Sequence, residues 1–548
     1  MFFDTASFFL LTFISLCSIM GFGIFVNNFL IKDKVEIINQ FNYFFLGIVF
    51  ILPVSFIYYL IIGNELIINF FIILIGLIFF IKNVKLNKIK FNFILTLLFF
   101  TGLIISKTHE DFTSYHFQHI KELSDGTLKF GLANLDERYF YSSIFSYVQG
   151  IFKFNYFDLN LIHVPIYLFY LALIGYLSIE IYKKEKSYFC SILLILVILK
   201  FRRLSEFGYD YIGQFILLYI FIEYIWNTKK SSSIQNSKLI LIYASSVLIK
   251  ITNLYFLPVI FIYLISQKKI KYLLVYKRLI FPLFLIILTF SGNSFLKTGC
   301  LNYLVKETCF KSEKINWAFE YKNIENAKEL TKNWSRGFFH QKKTDYNSKE
   351  YNKNLKWISN WFSLHFIGKI LPFIILLISI ILLLSYVVFS KKKVIQKDYF
   401  ILLGITLSLI IWLLNFPQFR FGFAGIAIFF LLIGNLVFGG KIDLNKKKLK
   451  IVVCLAIAYF NTYNISRISN EFQRNDLYKF VNFPWFAQFK LEYEKKNDNN
   501  LVYQKSKEND IFWKSCFNAD YICVNHEDNI TFRVVGRKIF VKKDLPHN

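Results

Sequence analysis

Apolar runs long enough to cross about 30 Å of hydrocarbon recur along this chain, separated by short polar connections. They cover roughly 6 to 31, 42 to 63, 66 to 82, 90 to 106, 159 to 181, 188 to 200 and 211 to 226 in the first half. Further runs cover 273 to 292, 366 to 390, 398 to 415, 420 to 440 and 449 to 465. Each predicts a helix, because lipid leaves backbone polar groups no partner but one another. The stretch 238 to 266 is too long for one untilted helix, carries Lys250 in its middle and is basic at both flanks. It predicts two short helices joined by a Lys-Ile-Thr-Asn turn, with Pro258 just beyond the break. The pattern thus predicts an all-α polytopic membrane bundle of about fourteen helices.

Longer polar stretches interrupt the bundle and divide the chain. We expect transmembrane helices over 1–106, a loop over 107–158, helices over 159–292, a helical segment over 293–365, helices over 366–465 and a tail over 466–548. The 293–365 segment contains Trp317, Trp334, Trp357 and Trp361 and predicts two or three short helices lying over the membrane. The tail alternates in IFWKSCF, YICVN and RKIFVKK after an initial helical region, which predicts a small α/β appendage. No repeat of fixed period is present.

Composition agrees with lipid as the main solvent: 55% of 548 residues are hydrophobic, 67 of them Phe. The net charge of +28 would suggest a polyanionic partner in a soluble protein. Here most of it lies in connections such as Lys82 to Lys90, Lys183 to Lys186, Lys391 to Lys393 and Lys446 to Lys448. The positive-inside rule places these in the cytoplasm and makes a nucleic-acid partner unnecessary. The loop 107–158, the segment 293–365, the tail and the amino terminus then face outward. The first run begins MFFDTASFF with no basic residue ahead of it, and reads as a retained span. Cys300 with Cys309, and Cys516 with Cys523, fall in outward segments and are disulfide candidates; four free thiols are the alternative.

The best candidate for chemistry is the turn His109-Glu110-Asp111-Phe112-Thr113-Ser114-Tyr115-His116 after the fourth run. Lowered dielectric at a span's end raises carboxylate pKa values, so Glu110 or Asp111 can serve as a general base. Two adjacent acids can also hold a divalent cation, the one cofactor this sequence suggests. Alternatively Asp111 only caps the following helix. His116 and His119, three apart, are candidates for a phosphate or metal contact, or are hydrogen-bonded structural groups. A second set is basic and outward-facing: Lys200, Arg202, Arg203, Lys250, Lys297 and Arg420. Cations held there against the bias suggest an anionic ligand at headgroup level, a phosphate or diphosphate; snorkelling to the interface is the simpler account of any single one. Arg420, between Pro417 and Gly422, should point at something fixed. No Walker loop, GxGxxG after a strand, GxSxG elbow or HExxH motif is present, which removes the usual support for nucleotide-driven transport and zinc proteolysis.

An outer acid after an early span, a surface helix beyond it and converging cations resemble the GT-C glycosyltransferases. The strings EDFTSYHFQHIKELSDGTLKFGLANLDERYFYSS, LIKITNLYFLP, KTGCLNYLVKETCF, NWSRGFF and NFPQFRFGFAG also resemble an uncharacterised bacterial family of multi-spanning proteins. The GT-C resemblance implies a sugar transferred from a polyprenyl-phosphate donor to an envelope glycan or lipid acceptor on the periplasmic face of the inner membrane. Under it Asp111 is the acceptor-side base, Glu110 its partner or a cation ligand, and Lys250 and Arg420 hold the lipid phosphate. Arg138 then pairs with a carboxylate or stays a plain surface cation. GT-C enzymes usually place one span ahead of the acidic loop; the extra spans here are then an added module. Two other readings stand beside this one. An O-antigen polymerase or ligase would use Arg336 and His340 of the 293–365 segment, and a non-enzymatic lipid or glycan transporter or assembly protein would move substrate without covalent change.

Overall fold

A computed structural model describes residues 2–31, 39–105, 115–141, 143–153, 161–183, 187–202, 208–226, 233–266, 277–311, 314–340, 347–384, 396–437, 446–474, 493–498, 501–506, 522–524 and 530–543. Eight helices among them are long and apolar enough to cross a membrane: Phe3–Ile31, Asn42–Ile62, Leu66–Asn83, Leu161–Glu180, Ile280–Thr298, Ile358–Leu384, Phe419–Val437 and Lys446–Glu471. Ser187–Lys200, Ile251–Ser266 and Tyr399–Asn415 are shorter apolar helices. The runs expected at 90–106, 211–226 and the first half of 238–266 form the helices Leu86–Phe99, Asp210–Ile220 and Ser233–Ile249. This architecture is compatible with a multi-pass membrane protein.

Burial sorts the helices into inner and outer ones. In Leu161–Glu180 89% of the apolar window is buried against protein, whereas in Leu66–Asn83 and Lys446–Glu471 only 22% is. The first is therefore a central helix and the other two present Ile67, Phe70, Phe71, Ile75, Leu455 and similar side chains outward. Such a belt would be an aggregation surface in water and is the ordinary exterior of a bundle in lipid. Where helices meet closely, glycine makes it possible. A Cβ added to Gly21 would lie 1.7 Å from the carbonyl oxygen of Gly76, so the first and third helices touch backbone to backbone there.

The break expected near Lys250 is present. Lys250 is extended, with φ −147° and ψ 113°, between Ser233–Ile249 and the 3₁₀ turn Ile251–Phe256. Pro258 then falls in the first turn of Leu257–Ser266, where its missing N–H costs no hydrogen bond.

Over one face of the bundle the polar segments build a cap. The 293–365 segment contributes the helices Tyr321–Ser335, Ser348–Tyr351 and Ile358–Trp361, in line with the expected short helices. Cys300 and Cys309 are joined as a disulfide. Cys523 is disulfide-bonded too, and Cys516 lies outside the described residues.

The tail forms strands β2 (Tyr493–Asp498), β3 (Leu501–Ser506), β4 (Ile522–Val524), β5 (Ile530–Val535) and β6 (Lys538–Lys543). It is not a separate appendage. Strand β1 (Leu128–Phe130), from the 107–158 loop, pairs in parallel with β6 in a sheet of order β1-β6-β5. The other sheet has order β2-β3-β4. The β5–β6 hairpin turns at Gly536, whose φ of 59° suits the first central position of a two-residue loop. Asn134 then ties all the cap segments together, donating from Nδ2 to the carbonyls of Trp317 at 3.0 Å and Val541 at 2.9 Å. A short edge strand in a loop is unstable alone, and the pairing satisfies its backbone.

Candidate functional site

Three side chains far apart in sequence meet at the capped face. Asp210 opens the helix Asp210–Ile220, Lys250 occupies the extended break, and Arg420 is the second residue of Phe419–Val437. Lys250 Nζ lies 2.6 Å from Asp210 Oδ1, and Arg420 Nε lies 3.1 Å from Asp210 Oδ2. Aromatic rings wall the group. Lys250 sits 5.1 Å from the Tyr209 ring centroid and 4.9 Å from that of Phe421, and Arg420 sits 4.8 Å from that of Trp334. Side-chain exposure is 16% for Asp210, 15% for Lys250 and 30% for Arg420, so the charges act on one another through little water while Arg420 stays reachable.

Burial alone would push the Asp210 carboxyl up. Arg420 and Lys250 outweigh it and hold that carboxyl well below the usual carboxylate range. Asp210 is therefore ionised at neutral pH and makes a poor base. Two cations around one carboxylate leave the site net positive.

A polar network beneath the three residues holds their helices in register. Gln214, one turn after Asp210, donates to Asn253 Oδ1 at 3.0 Å and accepts from the Tyr255 hydroxyl at 3.2 Å and from the Ala424 backbone N–H at 3.0 Å. Asn253 in turn donates to the Ser246 carbonyl at 3.0 Å. Ala424 lies one turn after Arg420 and Asn253 just after Lys250, so the network spans the elements that carry the charges. Each buried amide is costly to leave unpaired, which makes the alternative arrangements expensive.

The remaining candidates distribute unevenly. Glu110, Asp111, Arg203 and Cys516 lie outside the described residues. His116 reaches the charged group, its ring meeting Tyr209 edge-on at 5.4 Å. His119 is buried against Tyr139 with ring centroids 4.9 Å apart. Burial, with Lys297 and His116 adding to it, pulls the His119 pKa well below the ordinary histidine value. Arg138 pairs with a carboxylate, that of Asp136, through Nε at 2.9 Å and Nη2 at 2.6 Å, and lies over the Tyr115 ring at 4.7 Å. Arg202 donates to the Tyr459 hydroxyl and covers the Tyr463 ring at 4.2 Å. Among the described residues no group of three or more His, Cys, Asp or Glu gathers as a metal site.

Arg336 is committed to structure: Nη1 donates to Asn352 Oδ1 at 2.6 Å, Nη2 to the Leu414 carbonyl at 2.6 Å, and the guanidinium lies over Trp357 at 4.5 Å. Sequence reasoning missed Asp210 altogether. Its one signal was an acid immediately before an apolar run, at the end where Lys250 and Arg420 were expected.

No curated protein and no solved structure matches the chain. One family model does match, over residues 6–427, a range that contains Asp210, Lys250 and Arg420. The chain therefore belongs to the family described as a domain of unknown function, DUF8201.

Proposed function

We propose that this protein is a GT-C-like transferase of the bacterial inner membrane, moving a sugar from a polyprenyl-phosphate donor to an envelope glycan or lipid acceptor at its periplasmic face. The observation that carries this reading is the convergence of Lys250 and Arg420, from separate elements, on a shielded and net-positive point at the capped face. A lipid phosphate is the anion that reaches such a point from the bilayer, and Arg420 offers guanidinium donors suited to it. The Cys300–Cys309 disulfide in the cap supports an oxidising compartment on that side.

In the reaction, the acceptor hydroxyl gives its proton to the Asp111 carboxylate, with Glu110 beside it or holding a divalent cation. The hydroxyl oxygen bonds to the sugar C1 as the C1–O bond to phosphate breaks, and the departing electron pair stays on the phosphate. Lys250 and Arg420 neutralise the charge that develops there, while Asp210 keeps both cations aimed when no lipid is bound. His116, against the Tyr209 ring, stands beside the pair.

Mass spectrometry of lipids extracted with the purified full chain, before and after incubation with polyprenyl-phosphate sugars, tests the reading. Wild-type protein should carry a polyprenyl-phosphate species and form glycosylated acceptor. Asp111→Asn should keep the bound lipid and lose the product, and Arg420→Gln should lose the bound lipid. An active Asp111→Asn removes that residue from the role, and a wild type that carries only bulk phospholipid and forms no product overturns the proposal.

A further inference from the structure

Among the described residues, a second group of cations adjoins the first without a carboxylate in it. Lys200, at the end of Ser187–Lys200, lies 5.1 Å from the ring centroid of Phe419, the residue before Arg420. Arg202 follows, its carbonyl accepting from Asn464 Nδ2 at 2.9 Å and its guanidinium laid on Tyr459 and Tyr463. Lys369, in the segment Phe362–Ile370, is within electrostatic reach of both Lys200 and Arg420. Phe373, one turn on from Lys369, packs on Phe419 with ring centroids 5.0 Å apart, so these elements share one corner of the bundle.

Lys200 and Lys369 are exposed and Arg202 is half-buried. Among the described residues none of the three has an ion-pair partner. Like charges gathered at the rim of an apolar bundle repel one another, and aromatic rings offset only part of that. Asp210 cannot serve them, since both its oxygens are taken by Lys250 and Arg420. An anion arriving from the lipid side would relieve the repulsion. Arg420 stands at the junction of the two groups, which are thus neighbouring positions along one polar head.

We infer that Lys200, Arg202 and Lys369 form a second phosphoryl subsite beside the Lys250–Arg420 pair, so that the polyprenyl carrier whose first phosphoryl group that pair holds is in its diphosphate form. The inference rests on the transferase reading for the identity of the lipid, and on the cation row for the number of phosphoryl groups.

The test is binding of farnesyl diphosphate and farnesyl monophosphate to the full chain in phosphatidylcholine nanodiscs. Wild type should prefer the diphosphate by about tenfold, the scale of added charge-assisted contacts. Lys200→Gln with Lys369→Gln should erase that preference and leave monophosphate affinity unchanged, Lys250→Gln should weaken both ligands, and Lys200→Arg with Lys369→Arg should restore the preference. The subsite is overturned if wild type shows no preference or if the glutamine pair weakens both ligands alike. It is overturned also if phosphatidylglycerol in the disc abolishes the preference, which marks a bulk headgroup site, or if inorganic diphosphate binds as tightly as the farnesyl ester, which marks a soluble anion. Monophosphate binding without preference sinks this inference alone; a wild type that binds neither ester takes the transferase reading with it.

Discussion

Asp210 holds two cations that come from two other elements of the bundle. Removing one partner of a shielded pair leaves a charge without compensation, at a cost of about 3–5 kcal/mol. Asp210→Asn, which strands both cations, should therefore lower the thermal midpoint markedly, whereas Asp210→Asn with Lys250→Met should recover part of the loss; a double-mutant cycle measures the difference. Gln214→Leu should cost about 1–3 kcal/mol, because it strands the buried Asn253 amide and the Tyr255 hydroxyl without changing any formal charge. His119 makes a pH prediction. Its pKa in the folded protein is depressed, so the stability it contributes is full above the unfolded value of about 6.5 and is lost as pH falls below it, because the unfolded chain binds the proton and the folded one resists it. Thermal melts at neutral and mildly acidic pH should diverge in wild type, and the gap should narrow in His119→Gln.

At the scale of elements, close helix contact and strand pairing carry the arrangement. Gly21→Val would drive two methyl groups into the Gly76 backbone and should force the first and third helices apart, at about 1–3 kcal/mol. Thermal melts in detergent measure that, and an unchanged midpoint would mean the helices can separate freely there. Within the cap, Lys129 is fully buried between Glu122, at 3.2 Å, and Asp125, and its backbone N–H donates to the Tyr59 hydroxyl at 3.1 Å. This anchors β1 to the bundle beneath it. The helix break at Lys250 was legible from length and flanking charge, since one helix cannot return to the side it left. The strands β4 and β6 were legible from alternation in YICVN and RKIFVKK. Their partners were not, because alternation marks a strand and says nothing of what lies beside it.

Across the whole molecule, the cap joins segments separated by hundreds of residues to a bundle whose exterior is apolar. Ending the chain before Ile530 would remove β5 and β6 and expose the β1 edge, so amide exchange at Leu128–Phe130 should rise while the central helix Leu161–Glu180 stays protected. Protection retained at β1 would show that the tail only decorates the cap. The hydrophobic period along the chain determined the class, the approximate helix positions and the polar segments between them, because transfer of backbone into lipid is a local cost that each run must meet by itself. Basic residues at the ends of those runs marked Lys250 and Arg420 as out of place for the same local reason. Tertiary structure alone decided that both cations meet at Asp210, that Lys200 and Lys369 share a corner with them, and that the tail's sheet takes in a strand from the first long loop. Those are pairings between positions 40 to more than 400 residues apart, and they follow from how helices pack and which polar groups remain to be satisfied once they have, which no window of sequence contains.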